Sequence, residues 1–90
     1  MDLIQFTKKL TATELSCNFI FVGTHNRILH LGKRFTLEFD QKHYNARIDN
    51  HGRLRRCNEH FFHLDSNFKL GEKIAIERNG NVYVLFKQHE

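Results

Sequence analysis

Apolar and polar positions alternate through most of this chain, and the period is that of strands. Residues 34–39 are the clearest case. Phe35, Leu37 and Phe39 fall on one face, and Arg34, Thr36 and Glu38 on the other, the two-residue repeat of a half-buried strand. Residues 43–49 repeat the pattern, with Tyr44, Ala46 and Ile48 apolar and Asn45, Arg47 and Asp49 facing away. Residues 3–10 read as a first strand carrying Ile4, Phe6 and Leu10, and residues 53–57, 73–78 and 81–87 read as later ones. Two short apolar runs, 19–22 and 28–31, flank the polar segment Gly23-Thr-His-Asn-Arg27. Turns are expected at Asp40-Gln-Lys42, at Asn50-His-Gly52 and at Asn79-Gly80. The Asn-Gly pair is the strongest hairpin signal of the three and predicts positive φ at both of its residues.

Two segments break the alternation. In residues 11–15, Thr11 precedes Glu14 by the three residues of a capping box, which predicts a short helical turn. Residues 58–65 are expected to be helical, with Asn58 as candidate N-cap and Phe61, Phe62 and Leu64 turned to the core. The tally is about seven short strands and two short helical pieces. So many strands in so short a chain predict a mostly β (α+β) domain whose sheet curls into a closed or nearly closed barrel, which removes exposed edges. With no Pro, repeat or low-complexity stretch, residues 1–90 form one unit.

Composition narrows the functional classes. Nine Phe supply core material for one domain of 90 residues. A chain of this size buries roughly 60–65% of its unfolded surface, which leaves little room for a deep catalytic cavity. No Gly-rich phosphate loop, HExxH or GxSxG is present, so the expectation is a protein that is not an enzyme and needs no cofactor. The N-terminus lacks the basic and apolar runs of a secretory signal, and no run approaches a membrane span. Cys17 and Cys57 are too few for a disulfide framework. A cytosolic protein with reduced thiols is the natural reading.

Charge changes the picture more. Residues 42–56 hold five Lys/Arg and one Asp, a local +4 that equals the formal net charge of the whole chain. The excess is concentrated on Arg47-Ile-Asp-Asn-His-Gly-Arg-Leu-Arg-Arg56, around one tight turn, and such an excess attracts an anionic partner. If residues 43–49 and 53–57 pair as a hairpin, Arg53, Arg55 and Cys57 share one face, with Leu54 and Arg56 on the other. A two-stranded ribbon fits the DNA major groove, where Arg grips guanine, Asn pairs with adenine and Asp accepts from cytosine. Asn45, Asp49, Asn50 and His51 among the arginines therefore suggest base reading as well as phosphate binding. The alternative is a solvated basic hairpin with no ligand.

Other clusters say less. Asn18 and the segment with His25, Asn26 and Arg27 offer donors to phosphates or bases, but the same residues suit an ordinary loop. Cys57, His60 and His63 have the chemistry of zinc ligands yet lack a fourth partner nearby, so no metal is expected.

Several short motifs resemble a known family. Phe6-x-Lys8-x-Leu10-Thr11-x-x-Glu14-Leu15 is similar to the opening of the plant B3 DNA-binding domain. Gly52-Arg-Leu-Arg, the pair Phe61-Phe62 and Phe68-Lys-Leu70-Gly71-Glu72-Lys-Ile74 resemble its later part. Gly23-Thr-His25-Asn26 resembles a segment of the effector domains of EcoRII- and BfiI-type restriction enzymes, which share that DNA-binding pseudobarrel. Trp is absent and Glu14 and Glu72 stand where Asp is usual, which favours a bacterial or phage relative over a plant one. The resemblance implies a seven-stranded open pseudobarrel with two short helices that grips double-stranded DNA between two arms. One arm carries Asn18, His25, Asn26 and Arg27. The other carries Arg47, Asp49, Asn50, His51, Arg53, Arg55 and Arg56. No nuclease motif is visible, so cleavage, if involved, is expected from a nuclease partner or a larger parent protein; the further expectations are a monomer and a cytoplasmic (bacterial or phage) or nuclear setting. The competing expectations are a small barrel for single-stranded nucleic acid, with Tyr44 and Tyr83 as its only candidate surface aromatics, or a module that docks on an acidic protein.

Overall fold

A computed structural model describes residues 5–23, 33–57 and 60–88. Strand β1 (Gln5–Lys9) leads through helix α1 (Ala12–Cys17) into the two-residue β2 (Ile20–Phe21). Strands β3 (Arg34–Phe39), β4 (Lys42–Ile48) and β5 (Arg53–Arg56) form a meander. Helix α2 (Leu64–Asn67) precedes the terminal hairpin β6 (Lys73–Asn79) and β7 (Val82–Lys87). The seven strands make one curled, open sheet in the order β1-β6-β7-β3-β4-β5-β2, antiparallel except where β3 runs parallel to β7. The mostly β class and the two short helices agree with the sequence pattern. No helix among the described residues is long and apolar enough to cross a membrane.

The inner face follows the alternation. Leu37, Tyr44, Ala46, Ile48, Leu54, Ile74, Ile76 and Leu85 are buried, joined by Leu10, Ile20, Phe62, Leu64 and Phe68. Full burial of each large aliphatic or aromatic side chain stabilises the fold by roughly 1.5–3 kcal/mol. Tyr44, expected at the surface, is buried because its even position on β4 faces inward, where it packs edge-on against Phe61 and Phe62.

The turns depart from expectation in informative ways. At Asn79-Gly80 only Gly80 has positive φ, +64°. Asn79 pairs with Val82, so the central residues are Gly80 and Asn81, the glycine-first arrangement of a type II′ turn. The turn with two positive φ values lies elsewhere. Asp40 (+53°) and Gln41 (+65°) connect the paired Phe39 and Lys42, as a type I′ turn requires.

The helix expected over residues 58–65 is also corrected. Residues 60–63 are not helical, and α2 begins only at Leu64, with His63 as an N-cap that makes no side-chain bond. Asn58 lies outside the described residues. Tertiary packing overrides the local preference. Phe61 and Phe62 stack on each other at 4.5 Å, and Phe62 also meets Phe39 at 4.6 Å. Asn18 then fixes the segment, accepting from the Leu64 amide at 2.8 Å and donating to the Phe62 carbonyl at 3.2 Å.

The sheet has two edges, β1 and β2, and side chains rather than a ladder join them. Lys8 lies on the inner face of β1 between Phe6 and Leu10, where a lysine needs a partner. It finds Glu14 of α1, whose side chain is 2% exposed. Glu14 also closes the expected capping box with Thr11 and accepts from the Phe21 amide at 2.6 Å. Lys8 donates in turn to the Phe21 carbonyl at 3.2 Å. Burial alone raises the Glu14 carboxyl pKa. The Lys8, Phe21 and Thr11 hydrogen bonds, with the Lys8 charge, outweigh it and hold the group below its ordinary value.

Candidate nucleic-acid interface

The basic excess is displayed on the outer face of the meander. Pairing places Arg34 opposite Arg47 and Arg47 opposite Arg55, so three arginines form a row across β3, β4 and β5. All three are exposed. Directly opposed residues hold their Cβ atoms about 5 Å apart, and like charges at that spacing destabilise the sheet. Among the described residues neither Arg34 nor Arg47 has a carboxylate partner, and Arg55 reaches Asp49 only at 3.7 Å. The row is therefore a surface of uncompensated positive charge among the described residues.

The turn between β4 and β5 is rigidly built. Gly52 (φ +80°) donates to the Asp49 carbonyl at 3.0 Å, and the Asp49 amide donates to the Arg53 carbonyl at 2.9 Å. This is a three-residue loop with its glycine in the left-handed position, the form that ends in a bulge. Asp49 organises it. One carboxylate oxygen accepts from the His51 and Arg53 amides at 2.9 and 3.0 Å, and the other from Arg53 Nε at 3.1 Å. Burial raises the pKa of Asp49. The two backbone bonds and the charges of Arg53 and Arg55 outweigh that and hold it below its ordinary value. Asp49 thus orients the arginines from within the loop, with its acceptors already engaged by the protein. Asn50 and His51 occupy the exposed tip.

Asn18 is likewise committed. Its left-handed backbone (φ 57°) terminates α1, and both ends of its amide bind the segment before α2. It nonetheless borders an open polar groove of about 510 Å³ beside Arg47, Arg55, Arg56 and His63. The structure therefore brings Asn18 to the arginine hairpin, as a wall rather than a donor. His25, Asn26 and Arg27 lie outside the described residues. Asn45 is exposed on the outer face of β4, the face that carries Arg47.

Three residues of consequence were not singled out by the sequence pattern. Arg34 was assigned to a polar face only, although counting outwards from a two-residue turn at Asp40-Gln41 places it opposite Arg47. Lys8 interrupts an apolar face, which is itself a signal. Phe21 falls within the apolar run 19–22, yet it is 48% exposed. On the edge strand β2, opposite Arg53, it has no strand beyond it to cover it.

Of the zinc-like set, His60 is engaged elsewhere. His60 stacks on Tyr44 at 5.3 Å, Cys17 is exposed, and both cysteines are free. Among the described residues no three His, Cys, Asp or Glu side chains gather as a metal site. Compared with known proteins, the chain matches no family model, no curated protein and no solved structure.

Proposed function

We propose that this domain binds double-stranded DNA in a sequence-specific manner, presenting the β4–β5 ribbon to the major groove. The observation that carries the reading is the row Arg34, Arg47 and Arg55, held opposite one another against their mutual repulsion. A fold retains such a row at some cost in stability, and a polyanion recovers that cost on binding. Asp49 fixes Arg53 and directs Arg55, and arginine held in a defined orientation suits guanine recognition. Asn45, Asn50 and His51 add polar groups that can hydrogen-bond beside the arginines. Arg56 at the groove with Asn18 serves phosphate.

The second arm would come from His25, Asn26 and Arg27. The described residues on either side of that segment support the idea: Phe21 stands opposite Arg53, and Arg34 opposite Arg47. In this reading the domain is a monomeric binding module rather than a catalyst. Any cleavage belongs to a nuclease partner or a larger parent protein, and the setting is a bacterial or phage-infected cytoplasm or a nucleus.

Exposed Phe21 favours a second reading, a single-strand binder. Such proteins stack successive bases on several aromatic side chains, and Phe21 is the one exposed Phe or Tyr ring among the described residues. Selection of bound duplexes from a random pool tests the proposal. An enriched motif, with duplex preferred over single strand in competition, is the expected result. A flat profile removes the sequence-specific reading and leaves a non-specific polyanion binder or a module for an acidic protein.

A further inference from the structure

The seam between β1 and β2 carries a cleft of about 500 Å³, distinct from the arginine groove. Its apolar surface is Phe19 and Phe21, and its rim is Lys8, His51 and Arg53. Lys8 Nζ sits 5.7 Å from the centre of the Phe21 ring, and the Arg53 guanidinium 5.5 Å from that of Phe19. Phe21 and Arg53 are also direct strand partners. Each of the two rings thus has one cation near its face, Lys8 at the exposed Phe21 and Arg53 at the half-buried Phe19, and the Lys8–Glu14 pair closes one edge.

We propose that this cleft receives one unstacked nucleobase of the bound DNA. The inference rests on the duplex reading above and extends it to an extrahelical nucleotide at a bulge, mismatch or overhang. The volume lies in the range of small-molecule pockets. A base offers a π-face to Phe21, and its phosphate offers charge to Arg53, which shares the single carboxylate of Asp49 with Arg55, so both halves of a nucleotide are matched. The patch is too small for a protein or lipid interface, which needs several hundred Å² of apolar surface. A row of bases would need further rings. Reach is also suitable. Arg53 and Arg55 are two residues apart on one strand face, about 7 Å, and two nucleotide steps along one DNA strand rise about 6.8 Å. A nucleotide displaced beside the phosphates held by Arg55 therefore lies next to Arg53 and the cleft.

The test compares a fully paired duplex with the same duplex carrying one bulged adenine, at matched salt. The bulged duplex is expected to bind about 5- to 150-fold tighter, the range of one base–aromatic stack. Phe21→Ala and Phe21→Leu should remove that preference and leave affinity for the paired duplex unchanged, whereas Phe21→Trp should retain it. Phe21 is exposed enough for all three to fold, which circular dichroism checks. Equal binding of both duplexes by the parent protein overturns the cleft proposal and leaves the duplex reading standing. Failure to bind either overturns both. Saturable binding of free deoxyadenosine monophosphate with no preference for the bulge also overturns it, in favour of a free-nucleotide site.

Discussion

Glu14 and Asp49 are two carboxylates with the same local chemistry and opposite consequences. Each accepts backbone amides, each faces positive charge, and each has its pKa lowered against the effect of burial. Glu14 meets one cation, Lys8, and the pair is sealed between α1, β1 and β2. Asp49 meets two arginines and stands beside a row in which Arg47 and Arg34 have no acidic partner among the described residues. Balance at the first site closes the sheet. Surplus at the second leaves a surface that attracts anions. The difference is one of stoichiometry and exposure rather than residue type.

The largest effect is expected at the balanced site. Removing one member of a buried pair strands the other, so Glu14→Ala should cost about 3 kcal/mol in urea unfolding. Acid should reveal the same contribution. A depressed folded pKa stabilises the fold above the carboxyl's unfolded value, near 4.5, and that stability is lost as pH falls through the lower folded value. Glu14→Gln should therefore show a shallower loss of stability on acidification. A variant as acid-labile as the parent would mean that the seam is not held by charge.

The surplus site should respond the other way. Arg47→Ala/Arg55→Ala should weaken duplex binding by about 10- to 100-fold and reduce the salt slope by about 0.9 for each phosphate that is no longer neutralised. Its stability should stay level or rise by about 0.5 kcal/mol, because opposed like charges are removed. Loss of stability with unchanged binding would erase the contrast and make the arginines structural. Arg34→Ala should behave as a weaker version of the double variant.

How much of the molecule is legible in its sequence follows from range. The alternation in β3 and β4 is local and periodic, so their faces and the outward arginines were legible. The capping box of Thr11 and Glu14 was legible for the same reason. The second use of Glu14, on Lys8 and the Phe21 amide, was not, since nothing local links those positions. Helix α2 starts later than the pattern predicts because Phe61 and Phe62 have side chains suited to a helix's apolar stripe, while contacts with Tyr44, Phe39 and Asn18 from distant parts of the chain hold them in a non-helical segment. Phe21 was misjudged because periodicity reports a face and not an edge. Strand order, which made β2 terminal, is a property of the whole sheet.

The smallest and sharpest effect is expected for Asp49→Asn. The amide oxygen can still accept from His51 and Arg53, so the turn survives and the cost is about 1 kcal/mol, the worth of the charged hydrogen bonds removed. Removing a negative charge from the surface proposed to face phosphate should tighten binding to random duplex by a few-fold. Discrimination between the selected motif and random duplex should fall at the same time, because Arg53 and Arg55 lose the group that orients them. The two changes in opposite directions are the informative result, measured by anisotropy titrations on matched duplexes. If affinity and discrimination fall together, Asp49 contacts DNA itself. If neither moves, its carboxylate serves the turn alone, as Glu14 serves the seam, and the distinction between the two sites rests on the arginines without it.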